Sequence, residues 1–370
     1  MQILMLIVDF GFNLTATKEI AIHSNNSNKI SEVYWGVTFL KFIIACIVFI
    51  ITTCFFYSYA PFGEYKLAVF IASLSIFGVV FFPIWLFQGL RELKVMAILS
   101  SISKLVFLPL IFVFVKESSD LLIAVLIHSL VHLSSGVVAL IYLYFGKISV
   151  GKLKRSFLSR NSLIFYIKDS YSIFLSNSAI SLYTSGIMVI LGFFVSSQLV
   201  GVYGAIDRIV RVVCFGVYGP ISQASFPIVV KTKITSLDKA RAMMRYILIG
   251  TFVLMVFILG CFFAVEDFLL INYFPELLNY KTLLIVSMFS IIPISLGGVC
   301  GQLGLVGLGG VYEKKIFTKV YIYVGVLSLF VSFFSIKYWS IEGAVYSVIL
   351  SEICVFLLML YFSIKSKLLW

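Results

Sequence analysis

The stretch GVYGAIDRIVRVVCFGVYGPISQASFP, residues 201–227, decides how the chain is read. Most of it reads as a membrane-spanning helix, for which about 20 apolar residues suffice. Yet Asp207, Arg208 and Arg211 lie in its first half. A charge at mid-bilayer costs about 2.5 to 3.5 kcal/mol on translocon scales, so such residues face protein or water rather than lipid. Asp207 and Arg211 are four apart with the acid first, the favourable helical order, which lowers the cost of both. Arg208 has no acid at that spacing. Counted inward from Val200, Arg208 and Arg211 lie about 12 and 16 Å deep at 1.5 Å per residue, beyond easy snorkelling.

The same apolar character runs from end to end. Of 370 residues, 61% are hydrophobic and 12% charged, and the mean hydropathy is +1.11. A soluble domain averages about 25% charged residues. The composition therefore predicts an all-α polytopic membrane protein with no soluble domain of useful size. A partial span lies near 1–16. Fuller ones follow near 33–57, 67–89, 95–115, 121–145, 170–195, 199–229, 246–270, 281–310, 316–336 and 341–363, about 11 in all.

The polar breaks alternate in charge. One set, from Lys18 and Lys29 through Lys147, Lys152, Lys154 and Arg155 to Lys365 and Lys367, holds 20 cations against six acids. The other, which includes Glu64, Lys66, Asp120, Glu266 and Asp267, holds four cations against seven acids. Cytoplasmic loops carry the Lys/Arg excess, so the basic set, with the C-terminus, is expected in the cytoplasm. The net charge of +12 is then topology, and no nucleic-acid partner is expected. The longest basic break, 146–169, divides the chain into an N-terminal helical lobe, 1–145, and a C-terminal six-helix lobe, 170–370. Two repeated halves of this kind are common in transporters.

Seven charges remain inside the spans: Lys41, Lys104, Arg208, Arg211, Asp9, Asp207 and Glu352. Lys41, eight residues into its span, either snorkels to the cytoplasmic interface or serves a central cavity. Lys104 lies near the middle of its span, where snorkelling is harder. Unpaired cations in a water-filled cavity suit an anion, above all a phosphate, because guanidinium binds phosphate through paired hydrogen bonds. The alternative for Asp207, Arg208 and Arg211 is a helix-packing ion cluster. Asp9 and Glu352 are candidates for a coupling proton or cation, or for plain ion pairs. His128 and His132, spaced i, i+4, have no visible third ligand and read as a polar helix face. Cys46, Cys54, Cys214, Cys261, Cys300 and Cys354 show no paired or metal-like spacing and read as small buried residues. Gly216, Gly219 and Pro220 are expected to interrupt their helix. The glycine-rich SLGGVCGQLGLVGLGG, 295–310, is suited to close helix packing or to a broken helix. Gln302 within it could hydrogen-bond a sugar or a neighbouring helix. Tyr34, Trp35, Trp339 and Trp370 read as interfacial anchors.

Four stretches carry a family resemblance: VDFGFNLTATKEIA (8–21), the opening stretch with its Pro-Ile-Ser-Gln-Ala and Phe-Pro, CGQLGLVGLGGVYEKKIFTK (300–319) and IEGAVYSVILSE (341–352). In these the chain resembles the Wzx family of O-antigen flippases, in the polysaccharide-exporter branch of the MOP (multidrug, oligosaccharidyl-lipid, polysaccharide) superfamily. The resemblance implies a MOP/MATE-like two-lobe helical bundle around a central cavity, with 12 helices in the family and the first of them absent here. It implies an inner-membrane transporter, not an enzyme, whose partners are undecaprenyl-pyrophosphate-linked oligosaccharide, membrane lipid and other O-antigen assembly proteins. It implies alternating access coupled to an ion gradient, Na+ or H+, with no other cofactor. On the charge argument, Arg208, Arg211, Lys104, Lys41 and Gln302 would line the pyrophosphate and sugar cavity, Asp207 would orient Arg211, and Asp9 or Glu352 would bind the coupling ion. Two rivals stay open. A MATE-like multidrug or cation antiporter would favour cavity acids. A polysaccharide polymerase would need a large outer loop with catalytic arginines, whereas the outer breaks here are short and acidic.

Overall fold

The computed structural model describes residues 2–58, 66–117, 120–145, 148 and 150–369. Glu64, Lys147 and Trp370, read above as loop charges and an anchor, lie outside them. Every regular element among the described residues is helical. Among the described residues eight helices are long and apolar enough to cross a membrane, one of them, Val311–Lys365, covering two of the expected spans; the spans expected near 1–16 and 199–229 are not among the eight. Their outer faces confirm the solvent they are built for: Leu105 is 74% exposed and Phe112 85%. Apolar exposure of that kind is tolerated in lipid and not in water. The chain is a multi-pass membrane protein.

It divides into two compact units, Met1–Phe174 and Leu175–Trp370. Unit one begins with α1 (Gln2–Asp9) and α2 (Phe12–Ile22). It continues through α3 (Ser27–Ser58), α4 (Lys66–Phe81), α5 (Ile84–Gly89), α6 (Leu93–Phe114) and α7 (Leu121–Phe145). It ends in the first turns of α8 (Arg160–Phe194). Two conformational facts hold it together. The partial first span breaks at Phe10 and Gly11, with φ of 47° and 77°. A Cβ on Gly11 would sit 2.8 Å from the Ser170 carbonyl oxygen of α8, so glycine is required there for both its φ and its closeness. Gly78 of α4 lies against α7, where a Cβ would collide with the His132 carbonyl. Small residues of this kind let membrane helices meet backbone to backbone. Gly78→Val should therefore force α4 and α7 apart. We expect a loss of about 3 kcal/mol, the upper end for overpacking, read as a lower melting temperature in detergent; unchanged melting would refute this packing.

The basic break is less loose than its composition suggests. Residues 160–169 form the first turns of α8, so the irregular part ends at Ser159. Tyr166 in that extension is buried against Gly36 of α3. The preceding segment is pinned as well. Trp35 donates to the Gly151 carbonyl at 2.8 Å, and the Gly151 N–H donates to Ser31 Oγ at 2.9 Å.

Unit two holds the rest of α8, α9 (Ser197–Thr235), α10 (Leu237–Tyr273), α11 (Lys281–Met288), α12 (Ile291–Gly298) and α13 (Val311–Lys365). α13 comprises two spans joined at a corner, Ser340, with φ 53° and ψ −131°. The sequence places its boundary at the same point, between 336 and 341. α9 differs from expectation: it runs unbroken through Pro220 and Pro227. Each proline removes one backbone bond, and the turns on either side keep the helix. The glycine-rich stretch is a wider turn rather than a break. α12 continues as a π-helix over Val299–Leu308, and most of its residues are buried.

Between the end of α10 and the start of α11, Lys281 binds Asp267 at 2.6 Å and Glu266 at 2.9 Å. Asp120 accepts from the Lys116 and Glu117 amides, at 2.9 and 3.0 Å, which holds its carboxyl below the usual range.

Candidate functional site

The seven intramembrane charges sort into pairs and singles. In unit one, Lys41 Nζ lies 3.2 Å from Asp9 Oδ1, and the lysine is 1% exposed. Lys41 therefore does not snorkel. Its stem is buried in α3, and its ammonium meets the carboxylate at the end of α1. Asp9 stands beside the Phe10–Gly11 break, where the helix ends early and its last carboxylate can turn toward α3. Lys104 of α6 is exposed and has no carboxylate partner among the described residues. The imidazole of His132 on α7 is within its electrostatic reach, and the His128 and His132 rings are 5.1 Å apart. No group of three or more metal-ligating side chains occurs among the described residues.

In unit two, α9 presents two faces. Tyr203, Ile206, Val210, Cys214 and Tyr218 recur at helical spacing and pack into the core. Asp207 and Arg211 flank this seam, 23% and 27% exposed, and Arg211 Nε donates to both carboxylate oxygens at 3.0 and 2.8 Å. Arg208 falls on the opposite face with Val212, Phe215 and Gly216, all exposed. Among the described residues it has no ion-pair partner. The two arginines thus face differently, one committed to an intrahelical pair and one free.

Glu352 of α13 is buried and accepts a hydrogen bond from Tyr183 Oη of α8 at 3.0 Å. Arg211 and Asp207 lie within its electrostatic reach. Next to them Tyr203 and Asp207, with Ser287, Ser290 and Val345, line a cavity of about 20 Å³, room for about one water. Gln302, inside the π-helix, is taken up by a neighbouring helix. Its Oε1 accepts from Ser222 at 3.0 Å and from Tyr218 at 3.4 Å, both on α9.

Sequence reading passed over Tyr183, Tyr203 and Ser290. A mid-span tyrosine is itself a signal, since a buried phenol needs a partner, and Tyr183 finds Glu352. Two other expectations change. Tyr34 is a core residue packed edge-on against Trp35 at 5.2 Å, not an interfacial anchor. Cys54 and Cys261 are exposed on α3 and α10, because an outward face in lipid suits a thiol as well as an interior does.

The sequence profile of a family described as "Polysaccharide biosynthesis protein" matches residues 1–233. The chain is 32% identical to the "Putative O-antigen transporter" of Escherichia coli (strain K12), over 100% of its own length and 87% of that protein. It is 28% identical to a protein of the same name from Shigella dysenteriae, over 97% and 88%. Its fold is that of MATE in complex with MaL6, at a TM-score of 0.80 and 14% identity over 99% of this chain and 86% of that one. It also matches the outward-facing conformation of a multidrug resistance MATE family transporter of the MOP superfamily, at 0.77 and 15% over the same shares. At such identities the likeness to the solved structures is one of fold alone. The chain belongs to the polysaccharide biosynthesis protein family and is a transporter of its Wzx branch, built on the fold of the MOP superfamily.

Proposed function

We propose that the chain is a flippase that moves undecaprenyl-pyrophosphate-linked O-antigen oligosaccharide from the cytoplasmic to the periplasmic leaflet of the inner membrane, with its C-terminus in the cytoplasm. The observation that carries this reading is Arg208, a guanidinium with no carboxylate partner among the described residues, on the uncovered face of a helix about 12 Å deep by rise per residue. A pyrophosphate cannot cross hydrocarbon unaided, and guanidinium is the side chain whose fork fits it. The names of the two relatives support the same cargo. Lys104, exposed in its own span, supplies a second cation. Arg211 is held by Asp207 and joins when that pair opens. Gln302 belongs to the framework of α9 rather than to the first contacts of the sugar.

Alternating access needs a driving ion. Two carboxylates are candidates for it, each beside a cation of its own unit: Asp9 with Lys41, and Glu352 with Arg211 in reach. Binding H+ or Na+ at either changes the hold on that cation. Glu352 has the stronger case, because Tyr183 fixes its geometry while Arg211 and Asp207 form a second charge pair beside it.

Complementation of a strain lacking its own flippase tests the cargo. The chain should restore surface O-antigen there without raising drug resistance; drug resistance without O-antigen would place it with the multidrug exporters. Glu352→Gln keeps an acceptor for Tyr183 and removes the ionisable proton. We expect O-antigen export to fall at least tenfold at normal protein level, and wild-type export would exclude Glu352 from coupling.

A further inference from the structure

One cavity in unit one is lined by none of the seven intramembrane charges. It has a volume of about 660 Å³ and opens between α3, the end of α7 and the pinned segment after it, with Trp35, Leu140, Tyr144, Lys152 and Leu153 in its walls. A second chamber of about 300 Å³ shares Trp35 and Leu153 and is walled by Phe42, Phe81, Leu158 and Thr38. Both volumes are in the range of small-molecule sites. The first is rimmed by exposed apolar side chains, Ile141, Tyr144 and Phe145, on a helix that crosses the membrane.

Charge is the second observation. Lys152 lines the larger chamber, and Lys154 and Arg155 follow it, all exposed. No acid occurs from residue 121 to 168. The carboxylate of Glu32, three residues before Trp35, is already engaged by Lys29 at 3.0 Å and by Ser162 at 3.1 Å. The walls are also fixed in place, since Gly151 is hydrogen-bonded through both its N–H and its carbonyl to α3. An apolar double chamber at the basic end of the spans, with an ammonium at its mouth, has the chemistry of a lipid site: basic pockets beside membrane helices hold anionic head groups.

We propose that these chambers hold one anionic phospholipid of the surrounding leaflet, its phosphate at Lys152 and Lys154 and its acyl chains packed against Trp35 and Leu153. A zwitterionic lipid fits the apolar walls equally well but gains little from the lysines, so selectivity resides in the head group. The site is independent of which cargo the chain moves.

Native mass spectrometry of the detergent-purified full chain tests this, with dioleoyl phosphatidylglycerol, dioleoyl phosphatidylethanolamine and undecaprenyl phosphate as probes. One phosphatidylglycerol should be retained in preference to phosphatidylethanolamine. Lys152→Gln with Lys154→Gln should weaken that retention about 30-fold and leave phosphatidylethanolamine unchanged. Both lysines are exposed, so the melting temperature should hold. Leu153→Trp, which fills the wall common to both chambers, should expel the lipid with the charges intact. Equal retention of the two phospholipids, or wild-type retention in the double glutamine variant, overturns the proposal. Displacement of phosphatidylglycerol by an equal concentration of undecaprenyl phosphate also overturns it and assigns the chambers to the polyprenyl lipid.

Discussion

A flippase-deficient strain expressing the Arg208→Ala/Arg211→Ala double variant is expected to show no surface O-antigen, with protein abundance in the membrane near that of the wild type. The two substitutions act differently. Arg208 stands on the uncovered face of α9 without a carboxylate partner among the described residues, so its removal costs no packing and takes away a fork for the pyrophosphate. Arg211 is bonded through Nε to Asp207 at 2.8 Å, and its removal leaves that carboxylate unpaired near Glu352. Arg208→Ala alone should therefore give the purer transport defect. Loss of a hydrogen bond to a charged group costs about 1.5–3 kcal/mol, or about ten- to a hundredfold in transport. Lys at 208 should recover only part of it, because an ammonium is a point charge and not a fork. Normal O-antigen in the double variant would remove the phosphate role from α9.

Lys41→Met is expected to be the most destabilising single change in unit one. The ammonium is fully enclosed and its contact with Asp9 is 3.2 Å. Breaking a buried pair by deleting one partner costs about 3–5 kcal/mol, because the other charge is left uncompensated. Asp9 retains 16% exposure, which favours the lower end. The double variant Lys41→Met/Asp9→Asn leaves no buried charge and should melt within about 1 kcal/mol of the wild type, since replacing both members of such a pair is often neutral. Thermal melting of the purified proteins measures both. A Lys41→Met protein as stable as the wild type would mean that the pair contributes nothing to the fold. A wild-type melt with lost export in the double variant would assign the pair to transport instead.

The helical membrane class and most of the spans were legible in the sequence, because hydrocarbon forces each crossing to bury its own backbone bonds in a helix, and length and hydropathy then locate it. The Asp207–Arg211 pair was legible too, since i, i+4 spacing is a property of one helix. What each remaining charge does was not. Lys41 finding Asp9, Arg208 finding no ion-pair partner among the described residues, Glu352 finding Tyr183 and Gln302 finding Ser222 all join or separate residues far apart in the chain. Such outcomes depend on which faces of different helices are pressed together. That is decided by close approaches such as Gly11 on α8 and Gly78 on α7, whose geometry no one-dimensional pattern contains.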